Sequence, residues 1–190
     1  LLEDFEHADA IFVFGQNPGT NHPRMLGDLR RASRRGARIV SFNPLRERGL
    51  ERFADPQSPL EMMTLSSQPI SHRYYQPRMG GDMAAVRGMA KALFAMEARG
   101  EFTRAASFIE AHTRGVEAWQ ALVEATEWAT LEDQSGLTRA QLEEAAAIFA
   151  GADNVICTWA MGITQHLHAV ESVREIVNLL LLGGHFGRPG

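Results

Sequence analysis

A strand-length apolar run that ends in a glycine–asparagine–proline loop and feeds an amphipathic helix leaves few architectures open. Ala10–Phe14 is such a run, and it stops at Gly15-Gln16-Asn17-Pro18-Gly19-Thr20-Asn21-His22. The spacing predicts a helix over Pro23–Arg35, with Met25, Leu26, Leu29 and Ala32 on one side and Arg30, Arg31, Arg34 and Arg35 largely on the other. Gly36 is placed to end it, and Ala37–Phe42 reads as the next strand, stopped by Asn43-Pro44. Strand–loop–helix–strand grammar points to βαβ units. The expected class is α/β: a Rossmann-like open, mainly parallel sheet with helices on both faces.

The rest of the chain extends this plan. Residues 45–73 read as an irregular insertion containing Pro56, Pro59 and Pro69. Tyr74-Tyr75-Gln76 is a brief candidate strand. Gly80-Gly81 precede a helix from about Met83 to Ala98, with Asp82 its expected N-cap and Gly100 its end. Residues 103–150 form a helical segment, with helices over Thr103–Ala111 and Val116–Ala125. Thr138 and Gln141 then make a capping box, after which Leu142, Ala145, Ala146 and Phe149 share a face. Asn154–Trp159 repeats the opening: an apolar strand, a loop over Ala160–His166, and a long helix ended by Gly183-Gly184. Val170, Val173, Ile176, Val177, Leu180 and Leu181 are that helix's expected inner face.

Composition excludes some functions. With 190 residues, 45% hydrophobic and 22% charged, the chain suits one globular domain, and a net charge of -4 makes no case for nucleic-acid binding. Cys157 is the one cysteine, so no internal disulfide can form and no metal site can be built from cysteine alone. Between Val155, Ile156, Thr158 and Trp159 it is expected to be an inert core thiol. No apolar run reaches the ~18 residues of a membrane span. The chain opens on Leu1 and closes on Gly187-Arg188-Pro189-Gly190, turn chemistry that leads onward. It is expected to be a piece of a longer polypeptide.

Ligands of open parallel sheets sit beyond the carboxyl ends of the strands. Four loops should reach that edge: Gly15–His22, Asn43–Arg46, Gly80–Asp82 and Met161–His166. Gly15 and Gly19 let backbone N–H groups approach a phosphate, Asn17 and Asn21 can donate and accept, and Thr20 adds a hydroxyl. The same residues are also ordinary turn formers. Asn43 ends the second strand where dinucleotide folds often carry an acidic ribose reader, and it is equally a strand terminator before proline. Asp82 can cap its helix or accept a hydrogen bond from a nucleobase. Arg78 can pair with phosphate or stay solvated. Arg30–Arg38 is an anion patch or the solvated face of a helix. His166 and His168, two apart, would point in different directions on a helix, so no metal site is assigned. No paired carboxylates and no Cys–His or Ser–His pair offer catalysis, which must come from a cofactor or from another part of the parent protein.

"GQNPGTNHP", "SFNP", "GGD" and "MGITQH", in this order, followed by "NLLLLGGHFGRPG", resemble molybdopterin oxidoreductases of the dimethyl sulfoxide reductase type, closest to the formate-dehydrogenase-like alpha subunits. The resemblance covers nearly the whole chain. It implies a molybdenum atom held by two molybdopterin guanine dinucleotides, one of them bound by these loops. By motif, Gly15, Asn17, Pro18 and Asn21 would line the pyrophosphate, with Gln16 and Thr20 in the same cofactor-binding loop. Asn43 and Pro44 would lie at the guanosine, and Gly81 and Asp82 would read the guanine edge. Met161, Gly162 and Gln165 would contact the dinucleotide from the last loop. Many relatives carry Asp-Pro-Arg after the second strand; here Asn43-Pro44-Leu45 stands, with Arg46 one place later. In that family the iron–sulfur cysteines and the protein ligand to molybdenum lie upstream of such a segment. The resemblance implies that the chain is the central dinucleotide-binding domain of a molybdenum oxidoreductase, cytoplasmic by its resembled branch, with the periplasm as the alternative compartment. Its partners would be the other domains of the parent, a small-molecule substrate and an electron carrier. A nucleotide-binding regulatory module without redox chemistry and a thiamine-diphosphate-type central domain are the alternatives.

Overall fold

The computed structural model describes residues 2–54, 59–64 and 66–187. Pro56 and the closing Arg188-Pro189-Gly190 lie outside the described residues. After a 3-10 turn over Leu2–Glu6 come β1 (Ala10–Phe14), α1 (Pro18–Asn21), α2 (Pro23–Arg35) and β2 (Arg38–Phe42). The segment expected to be irregular holds α3 (Arg48–Glu51), α4 (Pro59–Thr64) and a small antiparallel pair, β3 (Arg52–Phe53) and β4 (Gln68–Pro69). Then follow β5 (Arg73–Tyr75), α5 (Asp82–Ala98), α6 (Ala106–His112), α7 (Val116–Ala125), α8 (Trp128–Ser135) and α9 (Arg139–Ala150). The chain finishes with β6 (Val155–Trp159), α10 (Met161–Thr164) and α11 (Ala169–Gly183).

The main sheet has the order β5-β2-β1-β6, and each neighbouring pair is parallel. All five residues of β1 are buried, as befits a central parallel strand covered on both faces. The period of two sends Phe12 and Phe14 to one face and Ile11 and Val13 to the other. On the first face these residues meet α5, α9 and α11, through Met89, Leu93, Phe149, Ile176 and Leu179. Ile11, Val13 and Ile39 meet α2 through Met25, Leu26 and Leu29 on the second. The sheet is therefore the α/β arrangement expected, with helices on both faces. Rings cross it as a ladder: Phe14 to Phe42 at 4.9 Å and Phe42 to Tyr75 at 5.1 Å between centroids. Each such pair contributes about 0.5–1.5 kcal/mol beyond its buried area.

α2 matches its expected limits and stripe, and Gly36 follows it in the left-handed conformation (φ 106°). Arg31, Arg34 and Arg35 lie exposed on its outer side, as expected of a solvated face, and only Arg30 departs from it. Arg30 is buried, Arg35 donates to the carbonyls of Phe5 and Ala8, and Arg34 donates to Gln68. The Thr138–Gln141 capping box is present. α6 starts at Ala106, later than expected, once the Ala105 amide has bonded to the Leu182 carbonyl.

The inner face of α11 is rotated from the expected one. Val170 is 59% exposed, and Ser172, Glu175, Ile176, Leu179, Leu180 and Leu182 are the buried set. The cause is Glu175, which accepts from Arg87 Nε of α5 at 3.0 Å and from Trp119 Nε1 of α7 at 2.8 Å. A carboxylate satisfied from two other helices takes a place that apolar periodicity reserves for leucine or valine.

Candidate functional site

From β1 the chain steps outward through β2 to β5, then returns to lay β6 on the opposite side of β1. The loop after β1 leads to α2 on one face, and the loop after β6 leads to α11 on the other. The β1/β6 gap is thus the topological switch point, where diverging loops open a crevice at the carboxyl edge. Because the four strands are parallel, the four loops singled out in the sequence share that edge. Gly15, Asp82 and Met161 stand on one rim.

Glycine is required where the two innermost loops meet. Gly15 has φ 56°, and a Cβ there would lie 3.0 Å from the Gly162 carbonyl carbon. A Cβ on Gly162 would lie 2.9 Å from the Gly15 Cα. The backbones touch, and any side chain would pry the loops apart.

Gln16 is buried and ties three loops together. Its Nε2 donates to the Trp159 carbonyl at 3.4 Å, its Oε1 accepts from Thr158 Oγ1 at 3.1 Å, and its carbonyl accepts from Asn43 Nδ2 at 2.9 Å. Asn43, also buried, accepts from the Leu45 amide through Oδ1, so both ends of its side chain hold loops in place. The Pro44 carbonyl accepts from Gln76 Nε2. Asn17 caps α1 by accepting from the Thr20 amide and donates through Nδ2 to Glu47 at 2.6 Å. Pro18 opens α1, while Thr20 and Asn21 stand exposed. Beside them a cleft of about 510 Å³ is lined by Gln16, Asn21, His22, Pro23, Met25 and Thr158. Met161, Gly162 and Gln165 are exposed on the far side, with Gln165 Nε2 against Met161 Sδ.

Asp82 does not cap α5. It is the first helical residue, after Gly81, and its side chain makes no cap hydrogen bond. Gly81 is pressed onto the end of α8, where a Cβ would lie 2.7 Å from the Gln134 carbonyl oxygen. The Arg78 amide bonds to the Ser135 carbonyl at 2.8 Å, and its guanidinium donates to Asp133 rather than waiting free for a phosphate. This docking carries Asp82 inward. The residue is 4% exposed, and its Oδ1 has no hydrogen-bond partner. Desolvation pushes the carboxyl up to about 6, against the opposing pull of its own amide and of His166. No local signal in the sequence announces either the α8 platform or the approach of His166.

A buried acceptor without a donor fits a ligand edge rich in N–H groups, and the guanine edge is one such. The Gly15–Asn21 loop, with its mixture of amides, hydroxyl and carboxamides at the same rim, fits a diphosphate. No group of three or more His, Cys, Asp or Glu among the described residues is placed to hold a metal. Burial pushes the Cys157 thiol up, so it stays neutral. No described helix is long and apolar enough to cross a membrane.

The chain is similar to known proteins along its whole length. The molybdopterin oxidoreductase family model matches residues 1–190. Protein YdeP of Escherichia coli is 45% identical over 195 residues, covering all of this chain and 26% of its own length. The uncharacterized oxidoreductase Rv2900c of Mycobacterium tuberculosis is 42% identical over 191 residues, 24% of its length. Formate dehydrogenase H of Escherichia coli is 27% identical across 99% of this chain and 23% of its own. The chain thus spans about a quarter of the length of these relatives. Acetylene hydratase from Pelobacter acetylenicus shares the fold, with a TM-score of 0.77 over 96% of this chain and 22% of that one, at 19% identity. The chain belongs to the molybdopterin oxidoreductase family, which implies a molybdopterin cofactor.

Proposed function

We propose that this chain is the part of a formate-dehydrogenase-like molybdenum oxidoreductase that binds one molybdopterin guanine dinucleotide at the β1/β6 crevice. The observation that carries the reading is Asp82: a buried carboxylate oxygen without a donor, set on the same rim as the touching glycines of the switch point. Its ionised form accepts from the N1–H and N2–H groups of guanine, which no other common base presents together. The Gly15–Asn21 loop receives the diphosphate, with Gly15, Gln16, Asn17, Pro18, Thr20 and Asn21 forming its wall. Asn43 and Pro44 serve the guanosine by holding the second loop open beside it, since the Asn43 side chain is bonded to its neighbours at both ends. Met161, Gly162 and Gln165 close the crevice from the last loop.

The bound molybdenum–pterin group supplies two-electron redox chemistry, and an iron–sulfur cluster outside this chain would relay the electrons. The residues here bind, orient and screen. A nucleotide-binding regulatory module would use the same crevice, but the family match over residues 1–190 favours the oxidoreductase. The rest of the parent supplies substrate contacts and the electron path. This chain alone, about a quarter of its relatives' length, is therefore expected not to oxidise formate with an added acceptor.

Acid treatment of the purified full-length parent should release guanine nucleotide in step with its molybdenum content. A parent that holds neither refutes the proposal.

A further inference from the structure

The loop after β2 is fastened to the loop after β1 at three points. One is the bond from Asn43 to the Gln16 carbonyl. At the second, the backbones of Gly19 and Gly49 meet: a Cβ on Gly49 would lie 2.9 Å from the Gly19 Cα, and one on Gly19 would lie 3.3 Å from the Gly49 Cα. The third is Glu47, whose Oε2 accepts from Asn17 Nδ2 at 2.6 Å. Glu47 is itself anchored. It precedes α3, and its carbonyl accepts from the Leu50 and Glu51 amides. Its own amide donates to Tyr74 Oη of β5 at 2.9 Å, and Tyr74 Oη donates in turn to the Leu45 carbonyl at 2.7 Å. The neighbouring Arg46 is turned elsewhere: it pairs with Glu51 at 2.6 Å and stands over the Tyr74 ring. Among the described residues, Asn17 is the hydrogen-bond partner of the Glu47 carboxylate.

Asn17 is the centre of the β1 loop. Its Oδ1 accepts from the Thr20 amide at 3.2 Å, and its carbonyl accepts from the amides of Thr20 and Asn21. The amides of Gln16, Asn17 and Gly19 donate to no group among the described residues. They are the donors the loop has left for a phosphate, and their directions follow the turn that Asn17 closes. A flipped Asn17 carboxamide would set its oxygen against the Glu47 carboxylate and its NH₂ against the Thr20 N–H, losing both bonds. We propose that Glu47 is a positioning residue: by holding the Asn17 carboxamide, it keeps the Gly15–Asn21 loop in the form that presents these amides to the diphosphate. This rests on the cofactor reading above. The acceptor is ionised, and a bond to an ionised acceptor is stronger than a neutral one.

The test uses the full-length parent as wild type, Glu47→Ala and Glu47→Gln. Two quantities are measured: amide exchange of the cofactor-free parent by mass spectrometry, and the rate at which bound guanine nucleotide leaves the loaded parent. Glu47→Ala should speed exchange over residues 17–22 about tenfold while peptides of β1 and β2 exchange as in wild type. It should speed nucleotide release by about the same factor. Glu47→Gln, which still offers Asn17 an acceptor, should stay within about threefold of wild type in both. A Glu47→Ala parent that matches wild type in either measurement overturns the inference. So does an equally large effect of Glu47→Gln, since the acceptor is then not what matters. Exchange raised evenly over β1, β2 and the loop marks a purely structural role and overturns it too. A wild-type parent without guanine nucleotide overturns the cofactor reading and this role with it, whereas unchanged release from a loaded Glu47→Ala parent overturns this role alone.

Discussion

Asp82→Asn should stabilise the cofactor-free chain while weakening it as a binder. The carboxyl is 4% exposed with one oxygen unmatched, and burial lifts its pKa from 3.8 to about 6. Between those values the folded chain holds a proton that the unfolded chain has released. Stability therefore falls as pH rises from 3.8 to about 6 and stays lowered above that. A shift of this size corresponds to about 3 kcal/mol near pH 7. Asparagine removes the charge but leaves an amide short of partners, which costs roughly 1–2 kcal/mol of that gain. The expected net stabilisation near pH 7 is about 1–2 kcal/mol. Urea unfolding of both cofactor-free chains, from about pH 4 to about pH 8, measures it. The variant should be the less stable or equal at the acid end, gain on wild type through the window, and hold a constant lead beyond it. A difference that does not change with pH would refute the claim that Asp82 is desolvated in the fold.

Three further outcomes follow from the packing. Gly162→Ala forces a Cβ into the Gly15 backbone and should cost about 1–3 kcal/mol in chemical unfolding, with guanine nucleotide lost from the full-length parent. Arg87→Met leaves Glu175 buried beside Trp119 and should cost about 3–5 kcal/mol; adding Glu175→Gln, which still accepts from Trp119, should recover much of it in a double-mutant cycle. Thr138→Ala removes the hydroxyl that accepts from the Gln141 amide and should lower stability by about 1 kcal/mol in thermal or urea unfolding.

Features that need only local chemistry were legible in the chain. β1 reads as a strand because a central parallel strand is buried on both faces and so appears as an unbroken apolar run, while β2 follows it apart from Arg38 and the buried Ser41, whose hydroxyl pairs with Ser71. α2 and its glycine end, and the Thr138–Gln141 box, depend on neighbours within a turn or two. The loop motifs named the family, and the shared parallel direction of the strands then put their loops on one edge. α11 shows where this reading stops. Its inner face follows an ion pair with α5 and a hydrogen bond from α7, which no periodicity within α11 records.

Asp82 shows the same division. As a residue after two glycines it reads equally well as a helix cap or as a base reader, because both uses need a short side chain carrying an acceptor. Only the seating of Gly81 on α8, and the burial that results, takes the carboxylate away from the helix end and leaves one oxygen unmatched. What the sequence by itself determined was the order of elements, the sheet class and the loops that meet at its edge, since hydrophobic period and turn chemistry act over a few residues. The tertiary structure alone decided the contact of Gly15 with Gly162, the burial of Asp82 and the approach of His166. Each of these joins segments distant in the chain, and desolvation and close approach exist only once those segments have packed.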